Sequence, residues 1–367
     1  MNPPLYTAAL IGTGRIGFSL GLDKKREQPA SHTMALMNNK KIRLVAGCDC
    51  DAQRLKEWGR FTKVNRLYPS TQELLAGERA TTGSIPHIIT VAVNEAAHHE
   101  TALEVIKAQP RLVILEKPVA LNSTVAEKIQ GEAEKYHVPV LINHERRFAR
   151  DYNLARHLMG EIGEIQQVAA CLHSGLRVYS AKEEKTGFYS LIHDGTHLVD
   201  IVRFLLQDIT LENPVLSGVH WDEQNMLRNM TVTYSCATCP SVQFTISGRS
   251  KFFGFEIDIL GTLGRIRLGN GFFHFYQSRE SKLYSGFRSL EEVFGKFSYQ
   301  GEGRHENCQL KKGRFVGKTG YFSGMVQNAV DFLEGKAPLG SSLAEGIATL
   351  RILEEMKDLV LQNRRNP

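Results

Sequence analysis

The chain has 367 residues, of which 42% are hydrophobic and 23% are charged, values typical of a soluble globular enzyme with two domains. Its net charge of +6 is spread thinly, without the block of basic residues typical of nucleic-acid binding. No stretch reaches the roughly 18 apolar residues of a membrane-spanning helix, and the first residues lack a basic leader. We therefore expect a cytoplasmic protein that binds neither nucleic acid nor membrane.

Short apolar runs alternate with helical patterns over the first 143 residues. The runs are rich in Val, Ile and Leu, as in parallel strands covered on both faces, and they lie at 5–11, 42–48, 88–93, 112–115 and 140–143. The spacing of apolar residues predicts helices over 52–61, 101–108 and 123–136. This alternation predicts an α/β Rossmann domain over 1–143, built on a doubly wound parallel sheet.

The pattern changes after residue 143. Helices are predicted over 152–159 and 188–206, and strand-like runs joined by short turns lie at 166–172, 215–221, 229–236, 242–247, 255–260, 265–268 and 272–276. Such runs predict an α+β second domain over 144–367 with an open, mainly antiparallel sheet. Residues 278–317 are polar with weak periodicity, so we expect irregular chain there. Helices near 321–333 and 343–361 end the sequence.

A Gly-x-Gly-x-x-Gly loop follows the first predicted strand. Gly12 permits a tight turn, Gly14 lets the backbone approach a pyrophosphate, and Gly17 allows close packing of helix on strand. Arg15 and Ile16 complete the loop, and the start of the following helix offers amide donors to an anion. The context of strand, loop and helix predicts a dinucleotide site.

An acidic residue ends the second predicted strand. Asp49, or Asp51 as the second choice, can accept hydrogen bonds from both ribose hydroxyls and would repel a 2′-phosphate. NAD is therefore the preferred cofactor, and the nearby Arg54 keeps NADP possible. Asp49 lies 49 − 17 = 32 residues after the last glycine, more than the usual spacing of about 20. We place the extra residues at 21–32, in the connection from the first helix to the second strand.

Two further patterns carry side chains suited to catalysis. Glu116-Lys117-Pro118 follows the strand run 112–115, and ligands of doubly wound sheets bind at the carboxyl ends of strands. A lysine there can donate a hydrogen bond to a substrate hydroxyl and stabilise an alkoxide, and a cis bond before Pro118 would aim it. Glu116 and Lys117 are also expected to contact the cofactor. His193 and His197 lie four residues apart on the predicted helix, hence on one face, and either can exchange a proton near neutral pH.

Metal binding is one alternative for the two histidines. The segment 193–197 reads His-Asp-Gly-Thr-His, which is similar to the His-Glu-x-x-His pattern of zinc proteases. Gly195 in its middle, and Asp in place of the longer Glu, argue against that function. The other alternative is a pair of buried core histidines. Cys236 and Cys239 form a lone Cys-x-x-Cys pair at a predicted hairpin tip, so we expect no metal.

With these residues in place, the chain resembles the Gfo/Idh/MocA oxidoreductase family, which includes glucose–fructose oxidoreductase and inositol dehydrogenase. The resemblance runs nearly end to end and rests on Gly12–Gly17, Asp49, 91–99, Glu116-Lys117-Pro118, Arg147-Phe148, 187–197 and 261–264. It implies a Rossmann domain followed by an open antiparallel sheet, and catalysis by the lysine and a histidine. It also implies that the second domain binds the substrate. Sheet faces in this family often pair, which implies assembly of a homodimer or homotetramer through the same domain.

The resemblance also implies roles by position. Lys117 matches the family lysine, and His197 matches the histidine of an Asp-x-Gly-x-His stretch. His193 stands where the family has Asp, which implies a substrate contact by His193, an unusual substrate or a changed chemistry. Asp194 and Tyr189 are further substrate-side candidates.

Four other residues take secondary roles. Arg147 matches the family's Arg-Phe pair and can bind substrate through two parallel hydrogen bonds, or else form an ion pair between the domains. His98 is placed beside the cofactor, with packing at a helix N-terminus as its alternative. Arg177 and Tyr179 are weaker substrate-side candidates.

These residues together predict an NAD(P)-dependent oxidoreductase. It would transfer hydride between a secondary hydroxyl of a carbohydrate-like substrate (a sugar, sugar derivative or polyol) and the nicotinamide. His197 would remove the hydroxyl proton, and Lys117 would stabilise the oxyanion. Two alternatives stay open, a glycoside hydrolase that retains NAD and a non-catalytic regulator that senses dinucleotides on the same fold.

Overall fold

The computed structural model describes residues 5–175, 188, 190–223, 225–301 and 304–365. By its internal contacts the chain divides into two compact units. Unit 1 comprises Met1–Ala149 and Lys318–Ala348, and unit 2 comprises Arg150–Gly317 and Thr349–Pro367. Unit 1 is thus built from two separate stretches of sequence. The expected domain limits, 1–143 and 144–367, stay a prediction.

The structure contains a helix within every helix range predicted from the sequence and adds one at Thr71–Thr82. Its helices are α1 (His32–Asn38), α2 (Ala52–Thr62), α3 (Thr71–Thr82), α4 (His98–Lys107), α5 (Ser123–Lys135), α6 (Arg150–Leu158), α7 (Gly195–Leu205), α8 (Tyr321–Leu333) and α9 (Leu343–Arg365). Asn122 caps α5, because its side chain accepts a hydrogen bond from the Val125 amide at 2.8 Å. Within the described ranges, no helix is both long enough and apolar enough to span a membrane.

Unit 1 contains a six-stranded sheet in which every neighbouring pair is parallel. Its strands are β1 (Tyr6–Ile11), β2 (Ile42–Cys48), β3 (Arg66–Tyr68), β4 (Ile88–Val91), β5 (Leu112–Leu115) and β6 (Val140–Ile142). The order β3-β2-β1-β4-β5-β6 is that of a doubly wound Rossmann sheet, which confirms the predicted fold class. The sequence analysis missed β3 and α3, although Ser70 followed three residues later by Glu73 is the sequence signature of a helix start, and the Glu73 amide donates to Ser70 Oγ at 3.2 Å.

The extra residues before Asp49 lie in a different place from the one expected. The glycine loop is followed by turns and a 3₁₀ segment, Ser19–Leu22, rather than by a regular α-helix. Helix α1 begins only at His32, where Ser31 caps it. The polar stretch therefore separates the glycine loop from α1, whereas we had placed it between the helix and β2. A stretch without apolar periodicity cannot continue a helix against a buried sheet.

Unit 2 is built on an eight-stranded sheet. Its strands are β7 (Ile165–Gly175), β8 (Glu212–Trp221), β9 (Leu227–Cys236), β10 (Cys239–Ser250), β11 (Gly254–Gly261), β12 (Gly264–Gly269), β13 (Phe272–Glu280) and β14 (Arg288–Glu292), in the order β14-β13-β12-β11-β7-β10-β9-β8. Only β7 and β10 pair in parallel, so the mainly antiparallel sheet is confirmed. Cys236 and Cys239 face each other across the predicted β9–β10 hairpin.

The prediction of irregular chain over 278–317 is wrong. This segment contains the end of β13, the edge strand β14, and a separate three-stranded sheet of β15 (Gly295–Gly301), β16 (Arg304–Lys311) and β17 (Arg314–Phe315). Strand β14 is short and largely exposed and leaves little pattern. Strands β15 and β16 do alternate, with Tyr299, Cys308 and Leu310 buried between polar neighbours, and the sequence analysis missed this signal.

Candidate functional site

The centre of the unit 1 sheet has the geometry of a ligand site. Strands β1 and β4 are neighbours from which the chain continues in opposite directions, and such a switch point opens a crevice at the carboxyl ends of the strands. Backbone hydrogen bonds tie these ends together. The Ala92 amide donates to the Ile11 carbonyl at 2.7 Å, and the Glu116 amide donates to the Val91 carbonyl at 3.0 Å. The glycine loop and Lys117 therefore leave the sheet along the same edge.

The glycine loop is shaped for close approach of a ligand. Gly12 has φ +93°, and a Cβ there would lie 2.4 Å from the Ala92 carbonyl oxygen. A Cβ on Gly14 would instead have no heavy atom within 4 Å, so the space beside it is open. Among the residues that the structure describes, none accepts a hydrogen bond from the amides of Gly14, Arg15 and Ile16. Open space beside unused amide donors fits the pyrophosphate of a dinucleotide.

Gly17 serves the packing that sequence reasoning assigned to it. A Cβ on Gly17 would lie 2.0 Å from the Gly12 carbonyl oxygen. Its own carbonyl accepts hydrogen bonds from the amide of Thr33, at 2.9 Å, and from the hydroxyl of Thr33, at 2.6 Å. The loop is therefore held against the start of α1, although Gly17 and Thr33 are 16 positions apart in the sequence.

Asp49 is buried at the end of β2 and is already engaged by four donors. Its Oδ2 accepts from the amide and the hydroxyl of Thr13, at 2.8 and 3.0 Å. Its Oδ1 accepts from the Asp51 amide at 2.9 Å and from Arg54 Nη2 at 3.2 Å. A carboxylate offers about four acceptor positions, so a ribose hydroxyl must displace one of these donors. Arg54 is the movable one, because 52% of its side chain is exposed.

Glu116 is the centre of a buried polar cluster. Its Oε1 lies 2.6 Å from both His32 Nε2 and Asn143 Nδ2, and its Oε2 accepts from the Lys117 amide at 3.3 Å. Burial raises the pKa of Glu116, but the hydrogen bonds from His32 and Asn143 and the charge of Lys117 outweigh it and hold the pKa below its ordinary value. The carboxylate is thus kept ionised and fixed, which suits a positioning residue beside Lys117.

His98 contacts the backbone of Pro118, the residue after Lys117. The Lys117–Pro118 peptide bond is cis, as predicted, and the Pro118 carbonyl oxygen lies 2.7 Å from His98 Nδ1. The second ring nitrogen lies 3.2 Å from the Val93 carbonyl oxygen. Burial lowers the pKa of His98, which favours a neutral ring with a single donor. The structure places His98 in the packing around Lys117, and its cofactor contact stays a prediction.

Two charged residues, Glu145 and Arg147, follow β6, and Glu145 interacts with the charge of Lys117. Burial raises the pKa of Glu145. Arg146, whose Nη1 lies 3.5 Å from Glu145 Oε1, lowers this pKa, and the charge of Glu116 raises it. The net shift of the pKa is upward. Arg147 is buried, and its Nη2 lies 3.7 Å from Oε2 of Glu345 in the first turn of α9. This ion pair lies within unit 1, and a substrate contact by Arg147 stays a prediction.

The two histidines of unit 2 lie at the junction of two helical forms. His193 and Asp194 belong to a π-helical turn, Ser190–Asp194, and His197 lies in the first turn of α7. The predicted continuous α-helix over 188–206 is therefore interrupted. A π turn holds more residues than an α turn, so the angle between His193 and His197 differs from the α-helical expectation. Asp194 Oδ2 accepts a hydrogen bond from Ser174 Oγ at 2.9 Å.

Three predicted substrate-side residues lie outside the part of the chain that the structure describes, and three partners of the site residues were not predicted. Tyr189, Arg177 and Tyr179 lie outside the described residues. The partners of the catalytic candidates were missed. His32 and Thr13 carry no local signal that points to Glu116 or Asp49. Asn143 could have been found, because it directly follows β6 at the carboxyl edge of the sheet.

A doubly wound parallel sheet with an open glycine loop at its switch point defines a dinucleotide-binding protein of the Rossmann class. Residues 6–144 match the Gfo/Idh/MocA family, described as an oxidoreductase family with an NAD-binding Rossmann fold. Over these residues the chain is similar to the Gfo/Idh/MocA oxidoreductase family. The resemblance and the NAD-binding fold expected from the sequence are thereby confirmed.

Known proteins support the same fold. D-apiose dehydrogenase of Paraburkholderia graminis is 26% identical over 46% of this chain and 44% of its own length. The chain spans about half the length of the curated relatives that it matches. An oxidoreductase of Agrobacterium radiobacter, crystallised with NAD+, L-tartaric acid and magnesium, superposes with a TM-score of 0.72 at 17% identity, over 98% of this chain and 97% of the other. The WlbA dehydrogenase of Bordetella pertussis, crystallised with NADH and UDP-GlcNAcA, superposes with a TM-score of 0.69 at 15% identity, over 98% and 97%.

Proposed function

We propose that the protein is an NAD(P)-dependent oxidoreductase, with NAD preferred, that transfers hydride between a secondary hydroxyl of a sugar, sugar derivative or polyol and the nicotinamide. The observation that carries the proposal is the placement of Lys117. It follows β5 on the same sheet edge as the glycine loop and is held between the Glu116 cluster and the Pro118–His98 bond. These contacts fix the backbone of Lys117, and a cation carried at this edge suits an oxyanion that forms during reaction.

The carbohydrate class of substrate rests on the relatives. D-apiose dehydrogenase is named for a sugar, and the WlbA dehydrogenase was crystallised with a nucleotide sugar. D-apiose dehydrogenase is similar to part of this chain in sequence, and the WlbA dehydrogenase is similar to it in fold. Arg147, His193 and Asp194 are the described residues that we assign to substrate contacts, together with Tyr189.

In the proposed mechanism, the bound nicotinamide supplies the hydride acceptor. Lys117 donates a hydrogen bond to the reacting hydroxyl and stabilises the negative charge that develops on its oxygen. His197 accepts the hydroxyl proton, a task for which imidazole is suited near neutral pH. His193 contacts the substrate in place of the carboxylate that the family usually has there. Glu116 does not exchange protons, because its oxygens already accept hydrogen bonds from His32, Asn143 and the Lys117 amide.

The test combines binding and turnover. NADH and NADPH are titrated into cofactor-stripped protein, and the purified protein is then assayed for NAD reduction with polyols, free sugars and UDP-sugars. Lys117→Ala and His197→Ala should each lower kcat by about 10²–10⁴, the range of general acid–base assistance. Lys107→Ala and His305→Ala, at other accessible positions of the two units, serve as matched controls.

Other outcomes identify the alternatives. A loss of only a few-fold in both catalytic variants would contradict the assigned roles. Cleavage of an aryl glycoside without net reduction of NAD would indicate a glycoside hydrolase that retains its cofactor. Binding of NADH without turnover of any tested substrate would favour a dinucleotide-sensing regulator.

A further inference from the structure

One edge of the unit 2 sheet is the strand β14 (Arg288–Glu292), the last strand of the eight-stranded sheet. Within the part of the chain that the structure describes, β14 pairs with β13 and has no neighbour on its outer side. The hairpin that leads into it, residues 282–290, is exposed throughout. An open edge of this kind presents backbone donors and acceptors to another strand, and proteins usually protect it.

The hydrogen bonds with β13 determine which backbone groups of β14 face outward. The Ser281 amide donates to the Phe287 carbonyl at 2.9 Å, and the Val293 amide donates to the Phe275 carbonyl at 2.7 Å. Residues 287, 289, 291 and 293 therefore direct their backbone groups toward β13, because these pairs alternate in an antiparallel ladder. The amides and carbonyls of Arg288, Leu290 and Glu292 point to the open edge.

We propose that β14 pairs with β14 of a second copy of this chain, antiparallel about a two-fold axis at Leu290, so that the two eight-stranded sheets become one continuous sheet. In this register Leu290 lies opposite the partner's Leu290. Arg288 lies opposite the partner's Glu292, and the reverse pair follows by symmetry. All three pairs use outward-facing backbone groups, so each can exchange two hydrogen bonds.

The side chains select this register over its neighbours. Arg288 and Glu292 stand on one face of the strand with Leu290 between them, so the two-fold brings opposite charges together at both ends and two exposed leucines together in the middle. An axis at Arg288 would place Arg288 against the partner's Arg288, and an axis at Glu292 would place two carboxylates together. Within the hairpin Arg288 bonds to Ser278 and Glu292 to His274, both on β13, so in the pair with a second copy each charge shares or gives up that bond.

Apolar surface at the hairpin tip supports the same arrangement. Leu283, Tyr284 and Phe287 are exposed and line a concavity at the tip, and Phe294, just beyond β14, is 55% exposed. With Leu290 on the axis, residue 286 lies opposite residue 294, since 286 + 294 = 290 + 290. The partner's Phe294 is thereby brought beside the apolar tip, and pairing covers exposed apolar side chains at both ends of the strand. The proposal does not depend on the oxidoreductase function.

Charge reversal with mixing tests the register. Arg288→Glu places carboxylates at both ends of the strand, and Glu292→Arg places two cations there. Each variant alone should have half the mass of the unmodified protein at the same concentration, measured by light scattering after gel filtration. An equal mixture of the two variants should recover the full mass, because every facing pair then joins opposite charges. Loss of the Ser278 or His274 bond cannot produce this recovery.

The outcomes decide the proposal. Full mass in both single variants, or no recovery on mixing, would show that copies associate through another surface, and a monomeric unmodified protein would overturn the proposal directly. Leu290→Cys provides a second measurement. Facing residues of a hydrogen-bonded pair have Cα atoms about 5.5 Å apart, within the range that a disulfide spans. Oxidation should give a covalent dimer whose tryptic peptides are joined at position 290, and Leu283→Cys should not give the equivalent product.

Discussion

Nε2 of His32 lies 2.6 Å from Oε1 of Glu116, although 84 positions of sequence separate the two residues. The contact joins the first residue of α1 to the residue before Lys117, and Asn143 at the end of β6 binds the same oxygen. The backbone position of Lys117 is therefore determined by residues from three separate elements of unit 1. This cluster is the first place to examine the link between stability and the proposed reaction.

Replacing the central carboxylate should weaken the fold. Glu116→Gln keeps the shape of the side chain but removes the charge that His32 and Asn143 bind, which should cost about 1–3 kcal/mol of unfolding free energy. Urea unfolding followed by circular dichroism measures the change, and Glu100→Gln on the exposed face of α4 is the control. Equal stability of the two variants would show that the cluster contributes nothing.

The same residue predicts an acid-sensitive stability. The folded pKa of Glu116 lies below its ordinary value of 4.5, so its contribution is present above that pH and is lost as the pH falls through the folded pKa. The unmodified protein should therefore lose stability below about pH 4.5 more steeply than Glu116→Gln. Parallel curves of unfolding free energy against pH would refute this assignment.

His98 should add a second acid-sensitive step at higher pH. Its folded pKa lies below the ordinary value of 6.5, so the unfolded chain binds a proton that the folded protein does not. Stability should fall as the pH drops from about 6.5 toward the folded pKa, and His98→Asn should flatten this part of the curve. His137→Ala, at an exposed position, should leave the step in place.

The glycines of the loop should separate folding from cofactor binding. Gly12→Ala puts a Cβ 2.4 Å from the Ala92 carbonyl oxygen and also strains a backbone with φ +93°, so the variant should be destabilised and should bind NADH poorly. Gly14→Ala meets no atom within 4 Å and should unfold at the same temperature as the unmodified protein. Fluorescence titration should nevertheless show weaker NADH binding, because the methyl group occupies the space proposed for the pyrophosphate. Unchanged affinity in Gly14→Ala would place the dinucleotide elsewhere.

Asp49 should determine the choice between NAD and NADP. Asp49→Asn keeps a side chain that can accept from Thr13 while removing the charge that repels a 2′-phosphate, and Arg54 remains close by. The ratio of Kd for NADPH to Kd for NADH should therefore fall by about tenfold, equivalent to about 1.4 kcal/mol. Asp51→Asn, at the exposed N-cap of α2, should leave the ratio unchanged. A constant ratio in both variants would leave Asp49 with a purely structural role toward Thr13.

The parts of the fold with strong periodicity could be predicted from the sequence. Strands β2 and β5 and helix α8 have the expected limits, because buried parallel strands and an amphipathic helix leave apolar patterns. Strands β15 and β16 alternate around Phe297, Tyr299, Cys308 and Leu310, a signal that the sequence analysis missed. The largely exposed strand β14 leaves no such pattern, and the short strand β3 has only three half-buried residues. Their position depends on pairing with strands distant in the sequence, which local composition does not record.

The candidate site shows the same limit. Gly12, Asp49 and Lys117 could be identified because each follows a strand at the edge where ligands bind. The partners that hold them could not, since Thr13 and His32 reach Asp49 and Glu116 across 36 and 84 positions. The π-helical turn before His197 was also beyond the sequence, because a helical pattern does not reveal one additional residue in a turn.

The discontinuous unit 1 has a consequence for biosynthesis. Phe322, Met325 and Val330 of α8 belong to the same buried cluster as side chains of β1 and β5, and Glu27 accepts hydrogen bonds from the amides of Thr319 and Gly320 at the start of that helix. A ribosome releases the Rossmann sheet long before it releases α8. The nascent nucleotide-binding unit must therefore wait, with part of its apolar surface uncovered, until nearly the whole chain has been translated. Truncated chains that end near residue 149 should consequently be substrates for chaperones rather than independent domains.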